Sequence, residues 1–181
     1  MKNLLLFCLL GGALQAAGQA SPLPVDSASG RVTYRGVVPV PNETADVVFE
    51  RARVFAKTSL MPPVINEKKK TVTGVWERPV GSGRLIRYEL GVVVADGSYQ
   101  YKLSDFESKA APGPAPAPGT EAASPAPAAS TPLEQVLQNP ASYKAGKPTP
   151  AFVAYRTTVH KTVQLAIADL QRRLKPGPRG R

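Results

Sequence analysis

The side chains able to do acid–base, nucleophilic or metal chemistry are few and scattered. His160 is the only histidine and Cys8 the only cysteine in 181 residues. A Ser–His–Asp or Cys–His arrangement needs a positioned base beside an activated nucleophile. His160 instead falls on the predicted polar side of a helix, beside Lys161 and Gln164. A zinc site needs several His, Cys or carboxylate ligands, and one histidine does not supply them. Glu50, Glu89, Asp96 and Asp105 lie on separate predicted elements, and none forms the close local pair that perturbs carboxylate acidity for general acid–base work. Gly81-Ser82-Gly83 is too short for a phosphate loop and lacks its Lys-Ser/Thr ending. The sequence therefore assigns no catalytic residue, no cofactor and no metal ligand.

One polar surface is left. Outward-alternating positions in four predicted strands carry Arg35, Thr73, Arg87, Glu89, Gln100 and Lys102. Side chains two apart on a strand share a face, so these six form the candidate interaction surface. Glu89 is expected as a cross-strand partner of Lys102 or Arg35, worth about 0.2–1 kcal/mol.

The elements that would position this surface centre on Arg84–Asp105. Ile86, Tyr88, Leu90, Val92 and Val94 alternate with Arg87, Glu89, Gly91 and Val93, and Tyr99, Tyr101 and Leu103 alternate with Gln100, Lys102 and Ser104. Asp96-Gly97 between the two runs predicts a type I′ hairpin turn. A first strand is read over Arg31–Val40, with Val32, Tyr34 and Val38 inward, and a second over Lys70–Arg78, with Val72, Gly74 and Trp76 inward. An isolated hairpin is marginal in water, so its apolar face needs a cover. Thr44–Lys57 carries Ala45, Val48, Phe49, Ala52, Phe55 and Ala56 at helical spacing, with Asn42 or Thr44 as N-cap. A second stripe runs from Phe152 through Tyr155, Val159, Val163, Ala166, Ile167 and Leu170 to Leu174. Thr149-Pro150 resembles a cap followed by proline at the first helical position, and Leu133–Leu137 is read as a short helical turn.

Residues 1–20 have the three-part pattern of a secretory signal peptide: cationic Lys2, an apolar run Leu4–Leu10 and a small-residue end. Cleavage is expected after Ala20, or alternatively after Gly18. The apolar run is too short to cross a bilayer core of ~30 Å, and Phe7 before Cys8 does not suit a lipidated cysteine. A mature chain without cysteine has no disulfide and must rely on its core. Residues 21–29 are read as an N-terminal linker, and residues 176–181 as a basic tail. Residues 110–132 hold seven prolines and few large apolar residues, the composition of a disordered spacer. The formal charge of +10 permits non-specific attraction to nucleic acid, anionic lipid or acidic polymers. Lys68-Lys69-Lys70 reads as a solvated run, while Arg172, Arg173 and Lys175 suit the negative end of a helix.

Two amphipathic helices covering one face of a four-stranded antiparallel sheet make a two-layer α+β domain of order β-α-β-β-β-α. It would span residues 30–109 and 133–175, interrupted by the Pro/Ala-rich insert. At this level the chain resembles secreted bacterial domains of unknown function with a TBP-like fold. Gly30-Arg31-Val32-Thr33-Tyr34 leading to Val37-Val38-Pro39-Val40, Phe49-Glu50-Arg51-Ala52 with Phe55, Thr73-Gly74, Ile86-Arg87-Tyr88-Glu89-Leu90 and Asp96-Gly97-Ser98-Tyr99 carry the resemblance. It covers about residues 30–107 and extends to the last helix. Phe55 stands where the family often has tryptophan, and the Pro/Ala-rich insert is a departure. The resemblance implies the fold and an envelope or secreted location; it implies no established activity and no functional residues.

The expected function is an exported, non-enzymatic binding or interaction module acting through its open sheet face or an edge strand. Its expected partner is an envelope protein, peptide or polymer, met in the periplasm or outside the cell. A hydrolase with carboxylates assembled only in three dimensions is the first alternative, and an electrostatic binder of nucleic acid or anionic lipid the second. A DNA-bending sheet needs apolar wedges, whereas Tyr34, Tyr88, Tyr99 and Tyr101 all share the inward parity.

Overall fold

The computed structural model describes residues 23–81, 83–110 and 130–176. The segment read as a signal peptide, most of the Pro/Ala-rich insert and the tail beyond Pro176 lie outside the described residues. The elements are β1 (Tyr34–Pro39), α1 (Ala45–Ser59), β2 (Val64–Asn66), β3 (Thr71–Pro79), β4 (Arg84–Ala95), β5 (Ser98–Ala110), β6 (Thr131–Pro132), α2 (Leu133–Gln138), β7 (Tyr143–Lys144), β8 (Lys147–Pro148) and α3 (Pro150–Leu174).

The sheet has six strands rather than the expected four. Its order is β1-β5-β4-β3-β2, with β6 pairing the far end of β5, and every pairing is antiparallel. The additions, β2 and β6, are three and two residues long, too short to leave a period-2 signature. β7 and β8 form a separate two-stranded pair before α3.

Most of the inward residues read from alternation are the core; Val38 and Tyr101 are only half-buried at its edge, and Tyr101 also lines a surface depression. Tyr88, Tyr99, Leu90, Leu103 and Ile86 are fully buried beneath Val48, Phe49, Ala52 and Phe55 of α1 and Val159, Val163, Leu170 and Leu174 of α3. Burial of each such large apolar side chain contributes roughly 1.5–3 kcal/mol. An aromatic chain runs through this layer: Phe55–Trp76, Trp76–Tyr88, Tyr88–Phe106 and Tyr34–Phe106, with ring centroids 5.2, 6.0, 5.0 and 5.7 Å apart.

Three features depart from local expectation. The hairpin does not end at Asp105. From Arg87 to Glu89, β4 advances two residues while β5 advances three, from Glu107 to Ser104. The extra residue bulges β5, Asp105 adopts φ 55°, and inward parity resumes at Phe106 and Ser108. The Asp96-Gly97 turn is not type I′, because only Gly97 of the pair has a positive φ. Asp96 instead points its carboxylate at the start of α1, where Oδ1 accepts the Ala45 N–H at 2.8 Å. Thr44 holds the N-cap position, but its side chain makes no capping bond. Finally, the segment read as a linker is tied to the domain at Leu23–Asp26, while most of its described residues stay exposed. Leu23 is buried, Val25 bridges Val32, and the Thr33 N–H donates to the Pro24 carbonyl at 2.9 Å.

Candidate interaction surface

Register turns the outward positions into rows across the sheet. Val37 of β1 lies beside Gln100 of β5, then Val93 of β4 and Thr71 of β3. The next row is Arg35, Lys102, Gly91 and Thr73. Below it Ser104 pairs with Glu89, and Glu89 with Val75. The long helices α1 and α3 lie on the other face, and among the described residues no element covers this one. Val37 and Val93 are 64% and 49% exposed here.

The face is concave. A solvent-open depression of about 860 Å³ is bordered by Arg35, Thr73, Glu89, Gln100 and Lys102, five of the six residues singled out from the sequence. Its floor lies at Gly91. A Cβ built there would meet only Thr73 Cγ2, at 3.7 Å, so the depression exists because no side chain fills that point of the face. Glycine inside a strand weakens it and marks places where another group approaches closely.

Arg87, the sixth residue, is not brought to the depression. It lies a row beyond Glu89, between Glu77 and Glu107 in register, and is half-buried. Nor does Glu89 stand opposite Lys102 or Arg35. Lys102 pairs with Arg35 on one side and Gly91 on the other, placing two cations next to each other. Gly91, Val93 and Val37 had outward parity in the sequence but no chemistry to attract notice. Asp26 and Ser29, which also line the depression, come from the N-terminal segment, whose fold-back has no local periodic signal.

The carboxylates around the depression are unevenly engaged. Asp26 Oδ1 accepts the Ser29 N–H at 2.9 Å and the Ser29 hydroxyl at 3.0 Å, which hold its carboxyl below the usual range. Asp105 Oδ1 takes Arg31 Nη1 at 2.6 Å. Glu89, Arg35 and Lys102 make no ion pair among the described residues.

Away from this face, His160 is more than a solvated helix residue. Its Nδ1 lies 2.9 Å from the Tyr34 hydroxyl, its ring is 5.8 Å from that of Tyr34, and it is half-buried. Burial raises the Tyr34 phenol's pKa. This pairing ties α3 to β1. The C-terminal cations are similarly engaged: Asp169 meets Arg78 at 3.4 Å, Arg173 at 3.3 Å, and Arg172. Lys70 pairs with Asp46 at 2.6 Å and lies over the Phe49 ring. Among the described residues no group of three His, Cys, Asp or Glu side chains is placed to hold a metal ion, and no helix is long and apolar enough to cross a membrane.

A twisted antiparallel sheet with helices on one face and the other face open defines a TBP-like α+β fold. A TBP-like protein from Parabacteroides distasonis shares it with a TM-score of 0.59 at 16% identity, over 86% of this chain and 97% of that one. A DUF4468 family protein from Bacteroides ovatus shares it with a TM-score of 0.58 at 14% identity, over 87% and 93%. At such identities the likeness establishes the fold alone. No family model and no curated protein matches the chain.

Proposed function

We propose that this protein is an exported, non-enzymatic binding module that holds an envelope partner on its outer sheet face, in the depression over Gly91. The carrying observation is that depression itself, with a floor free of side chains, exposed valines beside it and two cations on its rim. Export rests on the leader pattern of residues 1–20. The face is favoured over the edges. β2 has only three residues, and at the other edge the Pro24–Asp26 segment already pairs with Arg31–Thr33 just before β1, so strand addition would be confined to short stretches.

The hydrolase reading has less support, although three carboxylates border the depression. A general acid needs its pKa raised toward the working pH. Asp26 is pushed the other way, and Asp105 is held by Arg31.

The test is capture from the organism's own envelope fraction with the tagged chain beginning at Ser21. Gly91→Ile fills the depression with a residue that suits a strand. A partner retained by the wild type and lost by Gly91→Ile at unchanged melting temperature is the expected result. Identical captures by the two proteins would refute the face as the binding site.

A further inference from the structure

We propose that the Arg35–Lys102 pair anchors a single carboxylate, so that the partner is a peptide segment bearing an isolated Glu or Asp among neutral residues. This rests on the binding-face reading above and names the chemistry the face accepts.

The pair is the starting point. Arg35 and Lys102 are directly opposite in an antiparallel ladder, where Cβ atoms stand about 4.5–5.5 Å apart and like charges disfavour the pairing. Both side chains are exposed, and neither is within ion-pair distance of a carboxylate among the described residues, although Arg35 is near enough to Asp26 to help hold that carboxyl low. Several other cations, such as Lys57, Lys68 and Lys69, also make no ion pair among the described residues; what distinguishes Arg35 and Lys102 is that they stand directly opposite each other on the open face. A guanidinium offers a planar fork that matches a carboxylate, and an adjacent ammonium adds a further donor.

The surroundings limit how much negative charge the partner can carry. Glu89 lies diagonally across from Lys102, and Asp26 and Asp105 border the same depression. A dense polyanion laid over the cations would meet these carboxylates. This argues against nucleic acid, whose affinity comes from many phosphate contacts made together. A lone carboxylate avoids that repulsion. The positions beside the pair suit neutral residues: Gln100 and Thr73 provide hydrogen-bonding groups, and Val37 and Val93 provide exposed apolar surface.

The experiment follows backbone amide signals of the ¹⁵N-labelled chain from Ser21 during titration with acetyl-Val-Thr-Glu-Val-Thr-amide. Its Gln counterpart, inorganic phosphate and a thymidine oligonucleotide are titrated in parallel. The expected result is saturable shifts at Gly91, Thr73 and Lys102 with the Glu peptide, and binding at least about tenfold weaker with the Gln peptide, the scale of one charge-assisted hydrogen bond. Arg35→Gln and Lys102→Gln should each weaken the Glu peptide about tenfold at unchanged melting temperature. The proposal is overturned by equal binding of the two peptides, by undiminished binding to the variants, or by tighter binding of phosphate or the oligonucleotide at these residues. It is also overturned if no probe shifts Gly91. In that case, loss of the envelope partner by Gly91→Ile would still uphold the binding face, whereas retention of that partner would remove both readings.

Discussion

Replacing Gly74 by alanine would place a methyl group 2.7 Å from the Pro62 carbonyl oxygen and 2.9 Å from Leu60 Cβ. Gly74 is on the inward face of β3, where the chain leaving α1 crosses close over the strand and the Met61 N–H donates to the Val75 carbonyl at 2.9 Å. The nearest atom is backbone and has little room to yield. Overpacking of this kind costs about 1–3 kcal/mol. The smaller entropy of an unfolded chain with alanine offsets about 0.4–1 kcal/mol. A net loss of about 1–2 kcal/mol is expected, with melting temperature falling roughly 2–4 °C for each kcal/mol in a domain of this size. Gly91→Ala is the control from the opposite face. Its nearest neighbour is 3.7 Å away, so the packing cost is absent and stability should hold or rise by about 0.5 kcal/mol. Urea unfolding followed by fluorescence of Trp76, the single and buried tryptophan, measures both. If Gly74→Ala unfolds at the wild-type midpoint, or Gly91→Ala loses as much as Gly74→Ala, the contrast between a packed inner face and an open outer one is wrong.

Other outcomes follow from individual contacts. Asp96→Ala removes the acceptor of the Ala45 N–H and should lower the unfolding free energy by about 1 kcal/mol; an unchanged urea midpoint would deny the hairpin turn its capping role. Desolvation, with the neighbouring Tyr101 adding to it, pushes the Tyr99 phenol from 10.0 up to about 12. That contribution to stability is full below pH 10.0 and is lost as the pH climbs toward 12, so Tyr99→Phe should flatten the decline of the urea midpoint across this window, and parallel declines would reject the linkage. At neutral pH the same variant removes a buried hydroxyl that has no hydrogen-bond partner among the described residues, and stability should not fall by more than about 0.5 kcal/mol. Asp169→Asn leaves Arg78, Arg172 and Arg173 without their shared carboxylate; a loss of about 1 kcal/mol that shrinks in high salt is expected, and a salt-independent loss would point to packing instead.

Most of the layer structure is legible in the chain because it follows from local periods. Alternation in 84–95 and 98–103 sorts Tyr88, Leu90, Tyr99 and Leu103 inward and Glu89, Gln100 and Lys102 outward. The 3.6-residue stripes locate α1 and α3, and Thr149-Pro150 begins α3 as expected, with the Thr149 hydroxyl accepting the Phe152 N–H at 3.3 Å. Short elements escaped because two or three residues carry no period. The β5 bulge escaped because Asp105, acidic and polar, looks like the end of a strand when its left-handed backbone is unseen.

For the candidate surface, the sequence by itself determined membership: a period of two decides which side chains face away from the helices, whatever their neighbours turn out to be. Part of the adjacency is local as well: the two-residue Asp96-Gly97 turn already sets Gly91 opposite Lys102 and leaves Glu89 on the diagonal. Tertiary structure decided the rest. Only the pairing of β1 with β5, segments far apart in the chain, put Arg35 against Lys102, and on that long-range register a pattern read along a single strand carries no information.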